Sequence, residues 1–221
     1  MARSRSKKYP EVQRRILKAA AAVFAKAGYA TSTINDLTVS AELSRGALYH
    51  YFPSKEAILC EILNDHLLGF LDVLDHALRS STAAVEQLRA VTRAIVNTNI
   101  RSRNEQVLVL NELNQLSNAD RARMEGLQRR ILDQVSDLLI RLEGGVKITQ
   151  VNKRVYTMMY LGIINYTFAW YKPGGAVKPD EYADLATELF LNGLLRDAPD
   201  ARRESAALAF EGRLADEMGR I

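Results

Sequence analysis

The sequence predicts an all-α protein. Apolar residues recur at helical spacing from one end of the 221-residue chain to the other, and no segment alternates apolar and polar residues long enough to make a strand. The breaks between periodic stretches are short, and the clearest of them are rich in glycine and proline. A 3.6-residue repeat gathers side chains on one helical face, which must then be buried against another helix. No internal repeat is visible.

The first stripe runs through Val12, Ile16, Ala19, Ala20, Val23 and Phe24 and is closed by Gly28, since glycine tolerates the left-handed conformation of a helix C-terminus. A second helix is expected from Thr33 to about Ser40, with Ser32 or Thr33 accepting from its free N–H groups and Ile34, Leu37 and Ala41 on its apolar face. A four-residue turn leads to a third helix, capped by Ser44, in which Arg45, Ala47, Tyr49, His50 and Tyr51 surround Leu48. Pro53 stops it, because proline disfavours the α conformation in the preceding residue. Ser54 then caps a long helix to about Leu78, striped by Leu59, Leu63, His66, Phe70 and Leu74. Further helices are expected over residues 82–101, 104–117, 119–143, 149–171 and 179–196. Met124, Leu127, Ile131, Val135, Leu138 and Leu142 trace the third of these, and Gly144-Gly145 and Lys172-Pro173-Gly174-Gly175 end two of them.

Residues 31–55, TSTINDLTVSAELSRGALYHYFPSK, are too short to be a core by themselves. They suit a helix-turn-helix, whose second helix enters the DNA major groove. Charge supports this. Residues 1–60 hold ten Lys/Arg against four Asp/Glu, a net of +6, while the remainder holds 20 against 22, a net of −2. Phosphate attraction supplies most non-specific DNA affinity, so positive charge belongs where the helix-turn-helix lies. Arg3, Arg5, Lys7 and Lys8 add a basic N-terminal arm.

Other function classes find little support. No uninterrupted apolar run is long enough for a membrane span, and the basic start is not followed by a secretory h-region, so a soluble cytoplasmic chain is expected. The single cysteine, Cys60, cannot form an internal disulfide and reads as a buried, inert thiol. His50, His66 and His76 form no metal-ligand spacing, and there is no glycine-rich phosphate loop, so neither a metal, a cofactor nor an enzyme is expected. A helical adaptor that binds only protein is an alternative, but it leaves the basic helix-turn-helix unexplained.

The run from Ile16 to Leu59, with FAKAGYATSTINDL, SRGALYHYF and PSKEAIL, resembles the DNA-binding region of the tetracycline-repressor (TetR) family of bacterial transcription factors. The resemblance implies three N-terminal helices for DNA, a larger helical ligand domain, and a homodimer built on the last two main helices. Carried over position by position, it implies that Thr33 anchors the supporting helix on phosphate, and that Arg45 enters the groove, where arginine can bond guanine in bidentate fashion. Ser44 and Ala47 would lie near bases or backbone. Tyr49, Tyr51 and Lys55 would bind phosphates, and His50 would face bases or backbone. The chain departs from the family's glycine in the turn, having Glu42 in Ala41-Glu42-Leu43-Ser44. Either the turn is built differently or strain is tolerated there.

Residues 162–194 resemble the ending of a subset of these repressors linked to breakdown of fatty acids, steroids or aromatic acids, several of which sense acyl-CoA thioesters. The implied effector is an apolar acyl or aromatic group with a possible CoA tail; the alternative is a lipophilic drug sensed by a repressor of an efflux pump. His66, Phe70, Leu108, Asn111, Glu112, Tyr156, Tyr160 and Asn165 are the candidate effector contacts, although each polar one taken singly reads more readily as part of a buried network or an interface. Ile163, Tyr166, Leu185, Leu189, Phe190 and Leu194 are the candidate dimer contacts. The expected organisation is 1–53 for DNA, 54–196 for effector and dimer, and 197–221 as a helical tail, with the first boundary inside the long helix.

Overall fold

The computed structural model describes residues 9–143, 147–172 and 174–195. The basic arm, Gly144-Gly145, Pro173 and the tail lie outside them, as does the Leu194 side chain. Ten α-helices are described: α1 (Tyr9–Ala27), α2 (Ile34–Ala41), α3 (Arg45–Tyr51), α4 (Lys55–Arg79), α5 (Ala84–Arg101), α6 (Arg103–Asn111), α7 (Asn118–Glu143), α8 (Lys153–Asn165), α9 (Thr167–Trp170) and α10 (Pro179–Leu195). A 3₁₀ turn, Leu113–Gln115, joins α6 to α7. No helix among the described residues is long and apolar enough to cross a membrane.

The chain divides into two units, 1–187 and 188–221. In the first, α1 packs on α2, α4 and α6, and α4 packs on α5 and α7. The stripe of α1 is Ile16, Leu17, Ala20, Ala21 and Phe24. It is rotated from the expected one because Leu17 and Ala21 face the neighbouring helices while Val12, Ala19 and Val23 sit half-buried at the edge. Of the second unit, the described part is the last turns of α10, where Phe190 and Leu191 are buried and Leu189 is exposed.

Two expected helices are each broken. Residues 104–117 stop at Asn111, because Glu112 leaves helical geometry and its carboxylate turns to accept from the Tyr29 backbone N–H at 3.3 Å. Residues 149–171 begin only at Lys153 and break at Tyr166, because the Ile164 carbonyl is bonded by the Thr167 hydroxyl (2.9 Å) instead of continuing the backbone ladder. Asn152 serves the start, its Oδ1 accepting from the Thr149 N–H at 2.7 Å.

The α2–α3 turn is left-handed at Glu42, with φ +53°. The Leu43 N–H reaches the Thr38 carbonyl at 3.0 Å, closing α2 in the manner of a Schellman cap. The non-glycine residue is therefore accommodated at its ordinary strain cost of about 1–3 kcal/mol. Cys60 is half-buried rather than buried, with its Sγ accepting from Arg123 at 3.1 Å. Desolvation raises its thiol pKa, with Asp120 adding to that effect.

Candidate nucleic-acid interface and effector cavity

Local capping shapes the helix-turn-helix. Thr33 lies outside α2 as its N-cap: its Oγ1 accepts from the Asp36 N–H at 3.2 Å while the Asp36 carboxylate accepts from the Thr33 N–H at 2.8 Å, a reciprocal capping box. Hydrogen bonds from Thr33 hold the Asp36 carboxyl below its usual pKa. Ser44 accepts from the Ala47 N–H at 3.2 Å and starts α3, whose one buried side chain is Leu48.

That arrangement turns Ser44, Arg45, Tyr49 and His50 outward, leaving Ala47 and Tyr51 half-buried. The Arg45 guanidinium lies 5.8 Å from the Tyr49 ring centroid, one turn along the same face. Tyr9 stacks on Tyr51 at 4.6 Å and meets His50 edge-on, tying the start of α1 to α3. Gly46, passed over in the sequence reading, is also exposed and would meet nothing with a Cβ added. Packing offers no reason for this glycine, and its sequence signal is a glycine inside a helical pattern. Lys55 is engaged internally: its Nζ donates to the Tyr29 and Ser32 carbonyls, each at 2.8 Å, and lies over the Tyr29 ring. Two of its three N–H donors are thus occupied.

A cavity of about 230 Å³ opens between α4, α6, α7 and α8. Its polar wall is His66, Gln106, Gln128 and Asn165, and its apolar wall includes Phe70, Val109, Ile131, Leu132, Met158 and Leu161. Burial lowers the His66 pKa against the opposing hydrogen bond from Gln106, whose Oε1 lies 3.0 Å from His66 Nε2. His66 also borders a second, more polar cleft beside Arg14, Lys18, Asp65 and Glu105, between α1, α4 and the start of α6.

Three of the eight expected effector residues, His66, Phe70 and Asn165, line the cavity. The other five do not. Leu108 is fully buried elsewhere in the core. Asn111 is exposed and bonds back to the Val107 carbonyl. Glu112 is bound to Tyr29 as described. Tyr156 is half-buried off the lining. Tyr160 is completely buried with its hydroxyl 2.7 Å from Thr92 Oγ1, and desolvation drives its pKa far up. Gln106 and Gln128 line the cavity as well, and the sequence signal for each is an amide one turn before an apolar pair, Val109-Leu110 and Ile131-Leu132. Among the dimer candidates, Tyr166, Leu185 and Leu189 are 63%, 64% and 67% exposed, Ile163 is half-buried and Phe190 is buried. Met159, 60% exposed on α8, joins the exposed apolar residues. No cluster of three or more His, Cys, Asp or Glu that could hold a metal occurs among the described residues.

Comparison with known proteins decides the family. A model of bacterial regulatory proteins of the tetR family matches residues 16–62, and a tetracyclin repressor-like C-terminal domain matches residues 81–194. The chain belongs to the TetR family. It is a DNA-binding transcriptional regulator of a non-enzymatic class. A TetR-family regulator from Bordetella parapertussis 12822 aligns at a TM-score of 0.79 with 32% identity, covering 85% of this chain and 98% of that one. The HTH-type transcriptional repressor KstR2 of Mycolicibacterium smegmatis is 27% identical over 190 residues, 84% of this chain and 91% of its own length. The structure of AibR in complex with isovaleryl coenzyme A and operator DNA aligns at a TM-score of 0.71 with 23% identity, covering 80% of this chain and 97% of that one. That last likeness shows the fold alone.

Proposed function

We propose that this TetR-family regulator is a cytoplasmic homodimeric repressor, released from a pseudo-palindromic operator when a small apolar effector fills the α4–α6–α7–α8 cavity. The observation that carries the reading is that α4 joins the two sites. Its first residue, Lys55, grips the loop before α2, and its His66 and Phe70 wall the cavity three to four turns on. A rigid helix shared in this way transmits movement, and it supports a boundary at the start of α4 with no linker, residues 1–53 serving DNA and 54–196 effector and dimer.

In the DNA-bound state Arg45 reads base edges with Ala47 and His50 beside it, and Gly46 admits a close backbone approach. Thr33, Ser44, Tyr49, Tyr51 and the remaining Lys55 donor bind phosphates and fix register. The exposed Met159, Tyr166 and Leu185, with Ile163, supply the apolar face of a two-fold four-helix interface. Effector binding favours a state in which α4 has pivoted, and it releases DNA only as far as its affinities for the two states differ.

The effector class is an acyl-CoA or aromatic-CoA thioester. KstR2 is a repressor by name and AibR was solved with isovaleryl coenzyme A, and both align with this chain over most of its length. The cavity, smaller than the roughly 300–1,000 Å³ of drug-sized sites, suits the acyl portion with the nucleotide outside it. No carboxylate lines it among the described residues, which counts against a lipophilic cation. Thermal denaturation with a panel of acyl-CoAs, their free acids and cationic drugs tests this, since a ligand of the folded state raises the melting temperature. Stabilisation by a thioester, accompanied by its release of the protein from operator DNA, is expected. Stabilisation by cationic drugs alone would overturn the effector class.

A further inference from the structure

Two of the three carboxamides in the polar wall of the cavity, Gln106 and Asn165, have their oxygens already engaged. Asn99, on α5, is completely buried. The Ile164 carbonyl, left at the end of α8 by the break after it, can only accept, so it orients the Asn99 amide with nitrogen toward it (3.4 Å). The same Nδ2 donates to Asn165 Oδ1 at 3.1 Å. Asn165 is thereby turned: its oxygen faces Asn99, and its Nδ2, which has no protein acceptor among the described residues, is left for the cavity that Asn165 lines. Gln106 repeats the pattern. Its Oε1 lies 3.0 Å from His66 Nε2 and can only accept, so the imidazole donates to it from Nε2. The Gln106 Nε2 donors remain. No Asp, Glu, Lys or Arg lines the cavity among the described residues.

We propose that this cavity selects the uncharged part of its effector by a carbonyl oxygen, as in a ketone, ester or thioester, which accepts from the Asn165 and Gln106 amide N–H groups while an apolar body fills the rest. A hydrocarbon of the same shape leaves buried donors unpaired, and a carboxylate is desolvated with no cation to meet it. Asn99 is a positioning residue: it touches no effector and acts by holding Asn165 oxygen-inward. The inference rests on the reading of this cavity as the effector site.

The test uses three probes of one size: 2-decalone, decalin and decalin-2-carboxylate, titrated into the full-length protein with methyl-labelled methionine. The Met158 resonance reports occupancy of the cavity it lines. The expected result is binding of the ketone about tenfold tighter than the hydrocarbon, with the carboxylate weakest. Asn165→Leu should remove the preference for the ketone while retaining decalin binding. Asn99→Leu, which leaves the lining intact, should also reduce that preference. Equal affinity for ketone and hydrocarbon, a ketone preference that survives Asn165→Leu, or carboxylate binding as tight as the ketone would overturn the proposal and leave the effector cavity standing. If none of the three probes moves Met158, the cavity reading falls as well.

Discussion

The α2–α3 unit is fixed by bonds between residues three to five apart in sequence: Thr33 with Asp36, Ser44 with Ala47, Leu43 with Thr38. The cavity takes its walls from four helices, with lining residues from His66 to Asn165 and a supporting amide, Asn99, on a fifth helix. The first region is a surface whose chemistry is displayed. The second is a space whose chemistry depends on which face each helix turns inward. A regulator needs both, because base recognition requires donors held rigidly outward, whereas an effector that changes the fold's balance must be enclosed by elements able to shift.

If the first region owes its form to one buried anchor, Leu48→Ala should do the most damage. Leu48 is fully buried and is the buried side chain of a seven-residue helix, so truncation should cost about 3 kcal/mol. Hydrogen exchange should then show α2 and α3 opening before α4 and α7. Uniform loss of protection through the whole chain would instead make the two regions one cooperative block.

Arg45→Ala tests the displayed surface without touching the anchor. Specific operator affinity should fall by about 1–3 kcal/mol, roughly fivefold to 150-fold, in fluorescence anisotropy, with effector binding and dimerisation unchanged. Unchanged operator affinity would mean that the recognition face is misassigned.

The enclosed region should respond to pH through His66. The folded-state pKa of His66 lies below the ordinary 6.5 because of burial, so the unfolded chain binds the extra proton first. The contribution of His66 to stability is therefore full above about pH 6.5 and is lost as pH falls toward the folded value. Melting temperatures between pH 8 and pH 5 should fall less steeply in His66→Gln than in the parent protein. Identical slopes would show that the imidazole is not desolvated as its surroundings imply.

The smallest expected effect is at the turn. Glu42→Gly relieves the left-handed strain but adds backbone freedom to the unfolded chain, so a net gain of about 0.5 kcal/mol is expected in urea denaturation. A loss would mean that the Glu42 side chain contributes more than its backbone costs.

The α2–α3 unit was legible because its determinants are local. TSTIND carries its own capping box, SRGA its own cap, and FPS its own stop, so residue type and spacing are nearly sufficient. The breaks at Glu112 and Tyr166 were not legible. Glu112 leaves its helix to meet a backbone N–H 83 residues away, and the Ile164 carbonyl at the second break is also approached by Asn99 from 65 residues away. The cavity shows the same limit. His66, Phe70 and Asn165 were reachable as members of helical stripes, but nothing in a stripe says whether its polar member faces a void, as Asn165 does, or a hydroxyl, as Tyr160 faces Thr92.

The sequence by itself determined an all-helical chain, the position of the helix-turn-helix, and the outward Arg45 and Tyr49, because capping, periodicity and charge act over a few residues. Only the tertiary structure decided that Lys55 spends two donors on the Tyr29 and Ser32 carbonyls, that Glu112 bonds the Tyr29 N–H rather than lining the cavity, and that Asn99 engages the Asn165 carboxamide oxygen. The physical reason is common to all three. A hydrogen bond is set by the partner that arrives across space, and sequence spacing within one helix does not specify which partner that will be.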